Sequence, residues 1–263
     1  MNVAELLLRK YEDAVFRIAL QEVKCAGINT YTFGGLDYLS DKFATILKAS
    51  GIAQGDVVAV VLPQSAAFAV AHLAILKIGA VVLPIKTSTK LTHIKPMLTK
   101  GQAKCLIVGD SNYKKFRGIQ NKTPEIENVF IACDIVSKND FGEGLRSFWF
   151  EINFADANFT IVEPLVTQPA YLFSERDPQK KFIKHPVNYG DILNSLNESE
   201  IEKPKAQTVW TTRDWTEPEI IFEMIFKMWA GGNAIATYDS TFTFELPIRE
   251  YYDHLGYKEY FQD

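Results

Sequence analysis

Cysteine is scarce in this chain: Cys25, Cys105 and Cys133 are its only three in 263 residues. They are too few and too far apart for a disulfide framework, a metal site or a redox motif, and an odd, sparse count suits a reducing cytosol. A cytoplasmic location is therefore expected. Positive charge is not in excess either. Lys and Arg number 28 against 32 Asp and Glu, for a net charge of −4, which gives no reason to expect a nucleic-acid partner or an anionic membrane surface. No apolar run approaches the roughly 18 residues of a membrane span. The first residues mix Leu6, Leu7 and Leu8 with Lys10, Tyr11 and Glu12 instead of placing a basic region ahead of an apolar one, so no signal peptide is read. Internal repeats and low-complexity linkers are missing as well. What remains is the composition of an ordinary globular protein, long enough to bury a large core as one big domain or two modest ones.

The apolar residues are arranged in alternating periods. Leu6, Tyr11, Val15 and Ile18 fall at helical spacing, so a leading helix is expected from Met1 to about Ala26. Leu36, Leu39, Phe43, Ile46 and Leu47 form one apolar stripe, with Gly51 placed to stop that helix. Val57 to Leu62 is a continuous β-branched run, the pattern of a strand buried on both faces. Ser65 is placed to cap a helix that ends at Gly79, and Val81 to Ile85 is a second buried strand. Strand, helix and strand in so short a span make a right-handed parallel unit. Further on, a short or kinked helix is expected from Thr92 to Thr99 around Pro96, then strands at Lys104–Val108 and Val129–Cys133. A helix is read around Leu145 to Phe150, a strand at Ala170–Ser174 and a helix over Val187–Leu196. Another strand is expected at Thr208–Thr212, then a helix capped by Thr216 and ended by Gly231-Gly232, and a strand at Ala234–Tyr238. From Thr241 the chain is polar and aromatic without a clear period. The alternation predicts an α/β fold of doubly wound mixed or parallel sheets flanked by helices.

Three stretches carry a resemblance that periodicity cannot supply. The first holds Tyr31-Thr32-Phe33, Leu36-Asp37, Gly55-Asp56-Val57, Leu62-Pro63-Gln64-Ser65, Ala71-His72-Leu73-Ala74, Lys77, Gly79-Ala80 and Pro84. The second is Trp210-Thr211 and Asp214-Trp215 with the helix that follows, and the third is the segment Leu172 to Lys184. Together they resemble the N-terminal part of the AMP-forming acyl-CoA synthetases, of the adenylate-forming superfamily, and most of all its acetate-type and short-chain members. The resemblance implies the N-terminal domain of such an enzyme over residues 1–240, with sub-lobes at about 27–165 and 166–240 and an aromatic tail over 241–263. Family members join a carboxylate to AMP using ATP and magnesium, then pass the acyl group to coenzyme A.

The family's phosphate loop reads YTSGTTGxPKG, a glycine-rich turn whose backbone N–H groups and lysine hold a triphosphate. Laid without gaps on Leu172 to Lys181, only Ser174 and Lys181 match. Glu175 replaces the first glycine, Arg176 and Asp177 the hydroxyl pair, and Pro178 the second glycine. Pro178 removes a donor and fixes φ near −65°, out of reach of the positive values open to glycine. A carboxylate at Glu175 about 4 Å from a phosphate charge costs roughly 4 kcal/mol at an effective dielectric of 20. The motifs YGxTE and Thr-Gly-Asp, the hinge aspartate and the lysine of the mobile domain do not occur in the chain; in the family they lie beyond the point matching Asp263.

These substitutions predict a truncated, non-catalytic relative, a pseudoenzyme with a degenerate ATP site. No catalytic residue, metal or cofactor is expected for this chain itself. Two alternatives stay open: the scaffold half of a two-chain carboxylate–CoA ligase, whose partner carries the missing motifs, or a binding module for acyl-CoA or nucleotide. Self-association is the other partner expected. Arg176, Lys180, Lys181 and Lys184 form either a residual anion site or a solvated basic loop. Trp210, Asp214 and Trp215 are either the remnant of an acyl pocket or packing and turn residues. His72 and His185, with no partner spaced to them, read as core or surface histidines.

Overall fold

The computed structural model describes residues 1–9, 14–24, 26–133, 144–176, 182–197, 207–238 and 247–261. Two sheets dominate. The larger is built from β3 (Val57–Val61), β4 (Val81–Pro84), β5 (Ala103–Gly109), β6 (Asn128–Ala132), β7 (Leu145–Ser147), β8 (Pro169–Arg176) and β9 (Phe182–Asn188), in the order β7-β6-β5-β3-β4-β8-β9. All its pairings are parallel except β8 with β9. The smaller sheet has β1 (Ile18–Lys24), β2 (Gly27–Thr32), β10 (Thr208–Trp210), β11 (Ala234–Tyr238) and β12 (Lys258–Glu259), in the order β12-β10-β11-β1-β2.

Strand side chains alternate faces, and here both faces are covered. Val58, Val60, Cys105 and Ile107 point into a central cluster, while Ala59, Val61, Leu106 and Val108 point into an outer one. The central layer holds α1 (Val3–Arg9), α2 (Phe33–Ala49), α3 (Ala66–Ile78) and the π-helix Ile220–Phe226, which continues as α7 (Lys227–Ala230). On the outer side of the large sheet lies α4 (Leu91–Gly101), and on the outer side of the small one α8 (Ile248–His254), whose Tyr252 is fully buried. Five layers result, with all 13 residues of α3 buried between the sheets.

The caps follow the sequence. Ser65 accepts from the N–H of Phe68 at 3.2 Å to start α3, and Gly79 ends it at φ 74°, where a β-carbon is strained. Several expectations are corrected. The leading helix stops at Arg9, and Ile18 onward is a strand, because Ala19, Leu20 and Val23 are buried between β11 and β2 instead of on a helix face. Tyr11 lies outside the described residues. The helix expected at Leu145–Phe150 is the strand β7 followed by α5 (Phe148–Phe154). The helix read from Val187 starts two residues later as α6 (Tyr189–Asn197), since Val187 belongs to β9. Helix α4 runs through Pro96 to Gly101. The stretch 247–261, where no period is legible, contains α8 and β12, and β12 extends the small sheet beside β10. The smaller sheet joins β2 to the late strands β10 and β11 through β1, and the larger joins β8 and β9 to the earlier strands β3 to β7.

Candidate functional site

Loops that leave neighbouring parallel strands toward opposite faces open a crevice at the carboxyl edge of a sheet. Here β3 leads into α3 in the central layer and β4 leads toward α4 on the outer side. Beside the carboxyl end of β4 lies a cleft of about 710 Å³, within the range of small-molecule sites. Pro84, Ile85 and Lys86 form one wall, and His93 and Met97 of α4 another. The β8–β9 hairpin supplies Phe173, Ser174, Glu175, Phe182, His185 and Val187, and the segment ahead of the π-helix supplies Thr216, Glu217 and Pro218.

The polar groups lining this cleft are paired with one another. Glu175 Oε1 lies 2.8 Å from His185 Nε2 across the hairpin, with side chains 64% and 52% exposed. At that exposure the carboxylate acts through water, and its repulsion of an anion at 4 Å falls to about 1 kcal/mol, well below the sequence-based figure. Lys86 Nζ donates to Glu217 Oε1 at 2.9 Å, and Arg213 donates to Glu217 Oε2. Burial alone would raise the Glu217 carboxyl, but the bonds from Lys86 and Arg213 outweigh it and hold the group below its ordinary value. Gln64, leaving β3, clamps this segment: its amide donates to Arg213 O at 2.8 Å and accepts from Thr237 Oγ1 at 3.3 Å.

The hairpin register places the phosphate-loop positions. Ser174 pairs with Lys184, Glu175 with Ile183 and Arg176 with Phe182, so β8 extends through two positions expected in a loop. The basic segment after the strand is, from Phe182 to Lys184, itself strand. Ser174 Oγ is buried, with no hydrogen-bond partner among the described residues. Asp177, Pro178, Lys180 and Lys181 lie outside the described residues. Trp210, Asp214 and Trp215 do not converge on one cavity. Trp210 packs edge-on to Tyr252, centroids 4.6 Å apart, on the outer side of the small sheet. Trp215 meets Phe68 at 5.5 Å in the central layer. Asp214 is the turn residue: its Oδ1 accepts from the N–H of Thr216 at 2.9 Å and from its hydroxyl at 2.7 Å. Thr216 is thus held by Asp214 and does not cap the helix, whose first residues lack a side-chain cap.

His72 is buried, stacked on Phe68 at 3.8 Å, with Nδ1 3.0 Å from the Tyr171 hydroxyl. Burial lowers its pKa to about 3, so the ring stays neutral. His93, Met97, Lys86 and Glu217 are cleft residues that sequence reasoning missed; only the fold brings them together, and no spacing signals it. Among the described residues no three His, Cys, Asp or Glu side chains gather to hold a metal ion, and no helix is long and apolar enough to cross a membrane.

Comparison with known proteins agrees with this architecture. The family profile described as AMP-binding enzyme matches residues 8–171. A 4-coumarate–CoA ligase-like protein of Oryza sativa subsp. japonica is 30% identical over 117 residues, covering 44% of this chain and 21% of the relative. The mitochondrial acyl-coenzyme A synthetase ACSM3 of Mus musculus is 25% identical over 214 residues, covering 78% and 35%. Among solved structures, an acyl-CoA synthetase of Brucella canis superposes with a TM-score of 0.84 at 18% identity, covering 98% of this chain and 46% of that one. The chain therefore spans less than half the length of each of these proteins. Its alternating layers and the match over residues 8–171 agree: the chain belongs to the AMP-binding enzyme family, as a counterpart of the N-terminal part of the adenylate-forming acyl-CoA ligases.

Proposed function

We propose that this chain is a non-catalytic acyl-CoA synthetase relative that does not adenylate carboxylates. The hairpin register carries the reading. Glu175 and Arg176, standing where the motif has its first glycine and first hydroxyl, are ladder residues opposite Ile183 and Phe182. Extended ladder residues do not present consecutive N–H groups to one anion, as the turn of a phosphate loop does. Pro178 has no N–H to offer. The described residues fit a triphosphate badly for a second reason: Glu175 and Glu217 line the cleft, and Lys86, a lysine of its lining, is already the partner of Glu217. Adenylation depends on positioned donors and charge stabilisation, and these are the parts altered.

The test is ATP–pyrophosphate exchange with magnesium and a panel of short-chain acids. Background exchange is expected, and robust acid-dependent exchange would overturn the proposal. The size of the cleft favours a second reading, a module that binds an acyl, coenzyme A or nucleotide ligand without turnover. Ligand present at a hundred times its dissociation constant should then add about 2.7 kcal/mol to stability. Thermal melts with ATP, AMP, coenzyme A and acyl-CoA that do not move would remove that reading.

A further inference from the structure

Each sheet has two edges, and three of the four are protected. In the large sheet, β7 is only three residues long, and β9 carries Lys184, His185 and Pro186 along its length. In the small sheet β12 is two residues long. Short strands, lysine and proline are the usual means of keeping an edge from pairing with another chain. The fourth edge, β2, has none of them: Gly27-Ile28-Asn29-Thr30-Tyr31-Thr32 is six residues without charge or proline. It pairs with β1 on one side, and among the described residues no strand lies beyond it. Asn29 and Thr30 are exposed. Just before the hairpin, Phe16 is 86% exposed and Val15 51% exposed.

We propose that β2 is a self-association surface, on which a second copy of this chain adds its own β2 antiparallel to form a sheet continuous across two molecules. Two-fold symmetry and strand geometry narrow the register. A two-fold axis normal to the sheet keeps each side chain on its own face, so it must place a residue opposite its own copy. With Thr30 on the axis, the pairs on one face are Thr30 with Thr30 and Ile28 with Thr32, β-branched throughout, which favour pairing, and on the other face Asn29 meets Tyr31. The absence of charge means that no like charges meet. Gly27, at one end of the edge, has open space where a β-carbon would stand, so nothing described there blocks a second strand. A partner of different sequence would need no such self-complementarity.

Sedimentation velocity from micromolar to near-millimolar concentration tests this, with hydrogen exchange to locate the contact. The wild-type chain should pass from monomer to dimer, with amides 27–32 gaining protection as concentration rises. Thr30→Lys sets two ammonium groups face to face at an exposed position; it should weaken association by about tenfold or more, whereas Thr30→Val should retain it. Thr30→Glu, which sets two carboxylates face to face, is a second weakening variant should circular dichroism show that Thr30→Lys disturbs the fold. A single monomeric species at every concentration overturns the proposal. So does a dimer indifferent to these variants, or one whose protection falls elsewhere. None of these outcomes depends on whether the chain handles ATP.

Discussion

Replacing Lys77 by methionine should destabilise this protein far more than a surface charge would. Lys77 lies within α3 and is wholly buried, yet it carries an ammonium group. That group donates to Asp41 Oδ1 at 2.6 Å, Asp37 Oδ1 at 2.7 Å and the Asp37 carbonyl at 2.8 Å. Arg9 closes the group from outside, 2.8 Å from Asp37 Oδ2 and 3.4 Å from Asp41 Oδ2. Methionine keeps the volume but leaves Asp41 without its nearest cation. Removing one partner of a buried pair costs about 3–5 kcal/mol, and Arg9 remains to offset part of it, so about 3 kcal/mol is expected. For a chain of this size that is a fall in Tm of roughly 6–12 °C. The loss should shrink in acid. Burial raises the Asp41 pKa, and the hydrogen bond and charge of Lys77 only partly oppose it. A carboxyl whose folded pKa lies above its unfolded value contributes stability when protonated and loses it as pH rises through the folded pKa. Without Lys77 that pKa climbs further, so the gap between variant and wild type narrows from neutral pH toward pH 4. A double variant, Asp41→Leu with Lys77→Met, should recover most of the loss, because the uncompensated charge has gone. Scanning calorimetry at two pH values decides it. A Lys77→Met shift below about 2 °C, or one that grows in acid, would refute the reasoning.

Three further outcomes are expected. His72, lowered to about 3 by burial, binds a proton in the unfolded chain but not in the folded one as pH falls below its ordinary value, so it costs stability there. His72→Gln should reduce the slope of stability against pH between about 6.5 and 3 by up to about 1.4 kcal/mol per unit, and an unchanged slope would show that the ring is not held neutral. Tyr252→Phe should be neutral or slightly stabilising by denaturant titration, because the buried hydroxyl has no hydrogen-bond partner among the described residues, whereas Trp210→Ala, which removes the ring packed against it, should cost about 3–5 kcal/mol. Gly79→Ala should lower the Tm measurably: φ is 74° there, and an added β-carbon would meet Gln54 at 3.1 Å and Val162 at 3.3 Å. An unchanged Tm would mean that the turn relaxes freely.

The parts of the fold legible in sequence are those whose cause is local. Ser65 before an apolar run, Gly79 after it and the flanking valine strands fix one βαβ unit, and the structure has it with those caps. β1 is illegible because Ile18 continues a helical spacing, whereas β2 on one side and β11, more than two hundred residues away, on the other make it a strand. β9 was hidden because Lys184, His185 and Pro186 read as loop, and a partner on one side was enough to extend them. α8 and β12 show no period because Tyr252 and Tyr257 gather around Trp210 in a small cluster, not along one helix face. The cleft was legible only at Ser174 and Glu175. Lys86, His93, Met97 and Glu217 come from separate turns of chain, and no spacing connects them.

Because β1 lies between β2 and β11, residues Ile18–Lys24 are bound by a strand that the ribosome delivers more than two hundred residues later. The valine-rich sheet has most of its strands by Ala132, but the smaller sheet must hold its first hairpin ready until Ala234 to Tyr238 emerges. Pairing so distant in sequence is slow to form, and that waiting hairpin is the segment a chaperone would have most reason to shelter during synthesis.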